Sequence, residues 1–305
     1  MAQSIGVPVV PEKGRRKHLK DDDLFACTFT DGKTYKVPWK DVKLLFVDAP
    51  SVWHIKDLTG GTLPVKNVDA VFDMAGNQLS GKAASFVVQE GQDCLIYGND
   101  VRYNQRGQDT FCNWNFGDQT DTANQTMWDD MFPHNMGFNG DIQHLDISER
   151  AFDISYMFSG CRAFNQPVGH FNTKNCNNIK CCFQIHGGTV ATSAFNQDIK
   201  WDTANCQNIT GLTTCQRHFN GVVELDVTKV VLSINTFSSN DVFTGRGNLE
   251  SWKTPACTSM NGMFNNNPRA TLNLRSWCVP LITTAPSNFN VNSPGITPPV
   301  WGTCP

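Results

Sequence analysis

Apolar and polar positions change rhythm once along this 305-residue chain. Residues 25–105 are short apolar runs broken by turn residues, alternating in the first two. Residues 26–30 (ACTFT), Asp31-Gly32 and residues 33–37 (KTYKV) read as a hairpin, because Asp-Gly supplies the positive φ angles of a two-residue turn between alternating strands. Further strands are predicted over 51–58, 68–72, 84–88 and 93–97, separated by Gly-containing turns. Several short strands in one segment predict a small β-sandwich or barrel.

From about residue 106 the period lengthens. Apolar triplets at i, i+3, i+6 recur as Ala151/Ile154/Met157, Cys176/Ile179/Cys182, Cys206/Ile209/Leu212, Val231/Ile234/Phe237 and Cys257/Met260/Met263. A weaker copy stands at Gln125/Trp128/Met131 and a degenerate one at Ile282/Ala285. A second column precedes each triplet: Leu145, Phe171, Trp201, Leu225, Trp252 and Trp277. A third is the Phe-Asn pair at 138–139, 164–165, 195–196 and 219–220. One coil of about 25 residues cannot bury its own apolar side, and coils laid against one another can. The reading is therefore mainly β: a small N-terminal sandwich or barrel, then an irregular leucine-rich-repeat-like solenoid of about 25-residue coils. Three-residue spacing suits a tight helical turn or a three-residue-per-turn segment whose side chains eclipse. The Phe-Asn asparagines are expected to form an inner hydrogen-bonded ladder.

Composition supports little helix. The chain holds 29 asparagines, 26 of them after residue 100, and only 17% charged residues. Asn and Gly favour turns, while aromatic and β-branched residues favour strands. A net charge of −3 excludes a globally basic nucleic-acid binder. No stretch approaches the ~18 apolar residues of a membrane-spanning helix. The division expected is a charged arm over 1–24, a β-rich attachment domain over 25–105, a repeat array over 106–285 and a Pro-rich cap over 286–305. The arm's Arg15, Arg16, Lys17 and Lys20 belong either to a solvated tail or to a docking segment that orders on a partner. No export signal is recognised, so synthesis and folding in a cytoplasm are expected.

Twelve cysteines form neither C-x-x-C nor a zinc-finger spacing. Cys176, Cys206 and Cys257 share a column with Ala151 and Val231, which marks them as small buried fillers. Hydrolase, metalloprotease and nucleotide-binding signatures are absent. Asp118, Asp121, Asp129 and Asp130 cluster, but as solvated turn residues rather than a calcium loop. Asp146, Asp202 and Asp226 recur one residue after the aromatic column, which points to turn or cap roles. No catalytic residue, metal or cofactor is expected. Trp201, Trp252 and Trp277 are weak candidates for sugar stacking, set against their place in a core-like column.

Residues 156–166 (YMFSGCRAFNQ) and 194–205 (AFNQDIKWDTAN) resemble the BspA-type repeat of bacterial and mycoplasma surface proteins, which also occurs in proteins of marine bacteria and their phages. The resemblance spans roughly 120–285, with Cys in place of the usual valine at three positions. It implies a leucine-rich-repeat-like solenoid and a display role. With the arm and the missing export signal, this predicts a non-enzymatic structural protein of a phage virion, made in the host cytoplasm. It would be a capsid decoration or tail- or fibre-associated element. Its N-terminal region would dock on other virion proteins, as a homo-oligomer without nucleic-acid or membrane partners. The alternative is an adhesin-like surface protein that binds a host glycan or receptor.

Overall fold

The computed structural model describes strand residues 8–9, 24–28 and 34–38, and residues 51–305 apart from 105–109, 127, 133, 148–149 and 186–192. The described residues are mainly β, with one 3-10 turn at Leu249–Ser251. The arm residues Arg15, Arg16, Lys17 and Lys20 lie outside the described residues.

β1 (Pro8–Val9), β2 (Leu24–Thr28) and β3 (Thr34–Pro38) form an antiparallel sheet in that order. The hairpin is present, but Thr28 pairs with Thr34. That register centres on Asp31, one residue away from the register of a two-residue Asp31-Gly32 turn. The turn itself lies outside the described residues.

The next strands are β4 (Ser51–Thr59), β5 (Leu63–Val68), β6 (Ala70–Asp73), β7 (Gln78–Ser80), β8 (Ala83–Val88), β9 (Cys94–Gly98), β10 (Arg102–Tyr103) and β11 (Asn113–Phe116). They make a five-stranded sheet, β11-β4-β9-β6-β7, and a three-stranded sheet, β10-β5-β8. Neither closes into a barrel among the described strands, which corrects that alternative. Trp53, Ile55, Val71 and Ile96 from the larger sheet join Leu63, Val65 and Val88 from the smaller in one core cluster. β5 has no sequence counterpart because Pro64 argues against a central strand. The structure places Pro64 opposite Asn104, just past the end of two-residue β10, where the Asn104 N–H reaches the Pro64 carbonyl at 2.9 Å. The missing proline N–H therefore costs no interior ladder bond.

β10 and β11 meet the first repeat. The Arg102 guanidinium donates to the Asp129 carbonyl and lies 3.0 Å from its carboxylate. Phe116 N–H bonds the Asp141 carbonyl at 2.9 Å. At this junction the backbones touch: a Cβ on Gly140 would stand 1.4 Å from the Trp114 carbonyl oxygen.

Beyond it, successive repeats pair in parallel register. Bridges run Asp153–Asn178–Asn208–Leu232–Ser259. β12 (Ile199–Lys200) pairs parallel with β13 (Val223–Glu224), and β14 (Leu272–Asn273) with β15 (Ile296–Thr297). At least three N–H groups per repeat bond carbonyls of the next: Tyr156, Phe158 and Gly160 to Lys180, Cys182 and Gln184, then Gly211, Thr213 and Cys215 to Ile234, Thr236 and Ser238. The same pattern recurs at Asn235, Phe237 and Ser239 and at Gly262, Phe264 and Asn266. The triplets form consecutive three-residue turns, not a helix. Left-handed residues at Tyr156, Cys181, Gly211, Asn235 and Gly262 interrupt helical continuation, and glycine suits two of those five places.

Rings stack along these columns. Phe138, Phe164, Phe195, Phe219 and Phe243 follow one another at 5.9–6.0 Å, stacked with their planes nearly parallel. Phe132–Phe158–Phe183 and Phe237–Phe264 make a second file at 5.3–5.7 Å.

Three expectations are corrected. Bridge register puts Val230, Ser233 and Thr236, not Val231, Ile234 and Phe237, in the buried triplet column. Val231 and Ile234 are half-buried, while Phe237 joins the second file. Ala285 is exposed, and Phe289 is buried instead. The Phe-Asn asparagines ladder at the rim rather than inside. Each Oδ1 accepts the backbone N–H of the next, Asn113→139→165→196→220 in order, at 2.7–2.9 Å. The inner polar column is Asn135, Cys161, Gln216, Asn240, Asn267 and Ser293. Cys161, Gln216 and Ser293 each donate to the carbonyl of a second-file phenylalanine in the preceding repeat.

Candidate functional site

The aromatic column has one small member between two indoles. Phe171 stacks on Trp201 at 6.1 Å and Trp252 on Trp277 at 5.8 Å. Leu225 occupies the intervening repeat. A leucine cannot span the depth of two flanking indoles, and an open cleft of about 570 Å³ lies there. Trp201, Leu225 and Trp252 form its floor, with Lys200, Glu224, Asp226, Thr228, Asn248, Ser251 and Lys253 around it.

Asn248 builds the floor. Its Oδ1 accepts the Leu225 N–H at 3.2 Å and the Trp252 indole N–H at 2.8 Å, while its Nδ2 donates to the Leu225 carbonyl at 3.0 Å. On one wall Lys200 Nζ stands 3.5 Å from Glu224 and 3.8 Å from Asp198. On the other, Lys253 donates to the Ser276 carbonyl. The Thr228 hydroxyl and N–H both bond Asp226, which lowers its carboxyl pKa below the ordinary value. Acid-catalysed glycoside cleavage needs the opposite, a carboxyl held protonated. The cleft thus offers mixed charge and hydroxyl-bonding groups over a shallow apolar floor, which suits a polar, extended ligand.

Of the sugar-stacking candidates, Trp201 and Trp252 reach the cleft only by their edges, being 5% and 2% exposed, and Trp277 is fully buried. Their indole N–H groups are consumed inside, Trp201 by the Val168 carbonyl and Trp277 by the Leu249 carbonyl. No ring presents a face to a sugar. The rim residues escaped sequence reading. The one signal for them was Leu225, the small step in a run of aromatics.

Asp202 and Asp226 cap their own turns, accepting the N–H of Ala204 and Thr228. Asp129 is taken by Arg102. Among the described residues no three metal-ligating side chains converge. Burial pushes the thiols up, Cys176 to about 12 and Cys206 and Cys257 to about 11, which keeps them protonated. Cys278 and Cys304 form a disulfide that the spacing did not reveal.

Fold and site together define a β-rich protein of in-register repeats with a lateral cleft. The chain belongs to the family described as "Mycoplasma protein of unknown function, DUF285", whose model matches residues 106–189 and 187–294. No curated protein and no solved structure matches the chain.

Proposed function

We propose that the chain is a non-enzymatic display protein. Its repeats wind into an irregular, leucine-rich-repeat-like solenoid of the BspA type, carried by a β-rich N-terminal attachment region. The observation that supports this best is the constant register of at least three backbone bonds per repeat, because a stack of that kind is a rigid spacer. The setting we favour is a phage virion, as a capsid decoration or tail- or fibre-associated element docked through its N-terminal region. Virion proteins repeat by symmetry, so a homo-oligomer is part of this reading. Mass spectrometry of gradient-purified particles from the source tests it. The polypeptide should co-purify at a fixed copy number, and its absence would refute the virion setting.

A second reading is an adhesin-like protein that binds a host glycan or receptor. The cleft at Leu225 favours it, since that opening lies on the side of the array. A glycan array probed with the full chain and with Leu225→Trp discriminates. Binding lost in the variant supports the adhesin. Binding that persists at full strength places recognition elsewhere.

A further inference from the structure

The two larger sheets have covered edges and open ones. β10 and β11 meet the first repeat, whereas β8 is the outer strand of its sheet and no described strand pairs with its free side. Long open edges are ordinarily guarded by charge or proline. β8 reads AASFVV and carries neither. Val87 is 43% exposed, and Met74 and Leu79 on the neighbouring stretch are similarly open.

The direction of its backbone groups follows from β5. Asn104 N–H reaches the Pro64 carbonyl, so Pro64 turns its polar groups toward β10. In a strand these groups alternate. Leu63 and Val65 therefore face β8 and bond their partners Val88 and Phe86. That leaves the N–H and C=O of Ala83, Ser85 and Val87 pointing off the sheet. Gln89 Nε2, which reaches the Val87 carbonyl at 3.4 Å, agrees with that direction.

We propose that β8 is a homodimerisation edge on which a second copy pairs antiparallel about a twofold axis at Phe86. Outward residues must lie opposite outward residues, which restricts the register to Ser85 against Ser85, Ser85 against Val87, or Val87 against Val87 of the second copy. Only the middle register sets Lys82 against Glu90 of the other copy, twice across the axis. Lys82 is 88% exposed, with Asp69 3.7 Å away, and Glu90, on the turn after β8, accepts the Gly60 N–H at 3.2 Å through Oε1, so that Oε2 can turn to the lysine of the second copy. The same register places the two Phe86 rings side by side in a close, non-hydrogen-bonded pair, and Phe86 already packs on the core. An edge without internal charge, with opposite charges at its two ends, is self-complementary.

The test is sedimentation of the full chain across a concentration series. The wild type should be a reversible dimer. Val87→Pro should be monomeric, with the melting temperature of wild type diluted to the monomer, because its lost N–H points away from β5. Lys82→Glu should weaken the dimer, by roughly tenfold across the two symmetric pairs, and adding Glu90→Lys should restore it. A monomeric wild type would overturn the proposal. So would a dimer indifferent to Val87→Pro, or slow exchange of the Ser85 and Val87 amides in the monomer, which would mean that another part of this chain covers the edge.

Discussion

Buried polar residues decide how tightly each repeat is specified. Asn240 is fully buried and donates to the Thr213 hydroxyl at 3.1 Å and the Phe237 carbonyl at 3.0 Å. Asn240→Ala strips a carbonyl and a hydroxyl of their donor and opens a small void. Urea unfolding should show a loss of about 2–3 kcal/mol. Asn165, at the rim, should matter less. Its Oδ1 accepts from Asn196 and Gln197, but water replaces it readily, and Asn165→Ala should cost about 1 kcal/mol. His54 couples the fold to pH. Burial is the largest influence and favours its neutral form, outweighing Asp118, whose carboxylate lies 3.6 Å away. Its folded pKa therefore lies below 6.5, and the unfolded chain takes up a proton first as pH falls. Stability should be level above pH 6.5 and decline below it, by at most about 1.4 kcal/mol per pH unit for this group. His54→Gln should lessen that decline in melting experiments from pH 7.5 to 5, and His170, whose pKa burial also lowers, should carry part of what remains.

Elements form where columns agree, and Gly140 shows how closely. Any side chain there collides with the Trp114 carbonyl. Gly140→Ala should separate the first repeat from β11 and lower the melting temperature, while sparing the later repeats in a proteolysis map. The array was legible in the sequence because triplet, aromatic and Phe-Asn columns share one period, and β4, β6, β8 and β9 because they are short apolar runs set between Gly-containing turns. Register within the 231 repeat was not legible. Val231, Ile234 and Phe237 are the more apolar choice, yet the chain buries Val230, Ser233 and Thr236. It tolerates two buried hydroxyls because Ser233 and Thr236 bond each other at 2.8 Å. Hydropathy cannot see a polar pair that satisfies itself. For the same reason the inner column of Asn135, Cys161, Gln216, Asn240, Asn267 and Ser293 stayed hidden. Its members share a buried position, and three of them a bond to a phenylalanine carbonyl, but not a residue type. The cleft was legible only as Leu225, since its rim comes from residues that look like ordinary surface.

Over the whole molecule the repeats share one core, running from Trp53 in the β-sheets to Ile296 near the C-terminal end. The Cys278–Cys304 disulfide ties the last described segment to the repeat before it, across 26 residues. Loop closure on that scale restricts the unfolded chain by about 3.5 kcal/mol in the chain-entropy model. A reducing agent should therefore lower the melting temperature, and Cys278→Ser should remove that sensitivity. The sharpest check of the in-register array is amide hydrogen exchange at single-residue resolution. Phe158, Phe183, Thr213, Phe237 and Phe264 each donate to a carbonyl 23 to 29 residues further along the chain. All five should exchange slowly and together, at the rate of global opening. Fast exchange at these amides, with protection confined to β4 and β9, would show that the repeats do not pair and would remove the basis of the display reading.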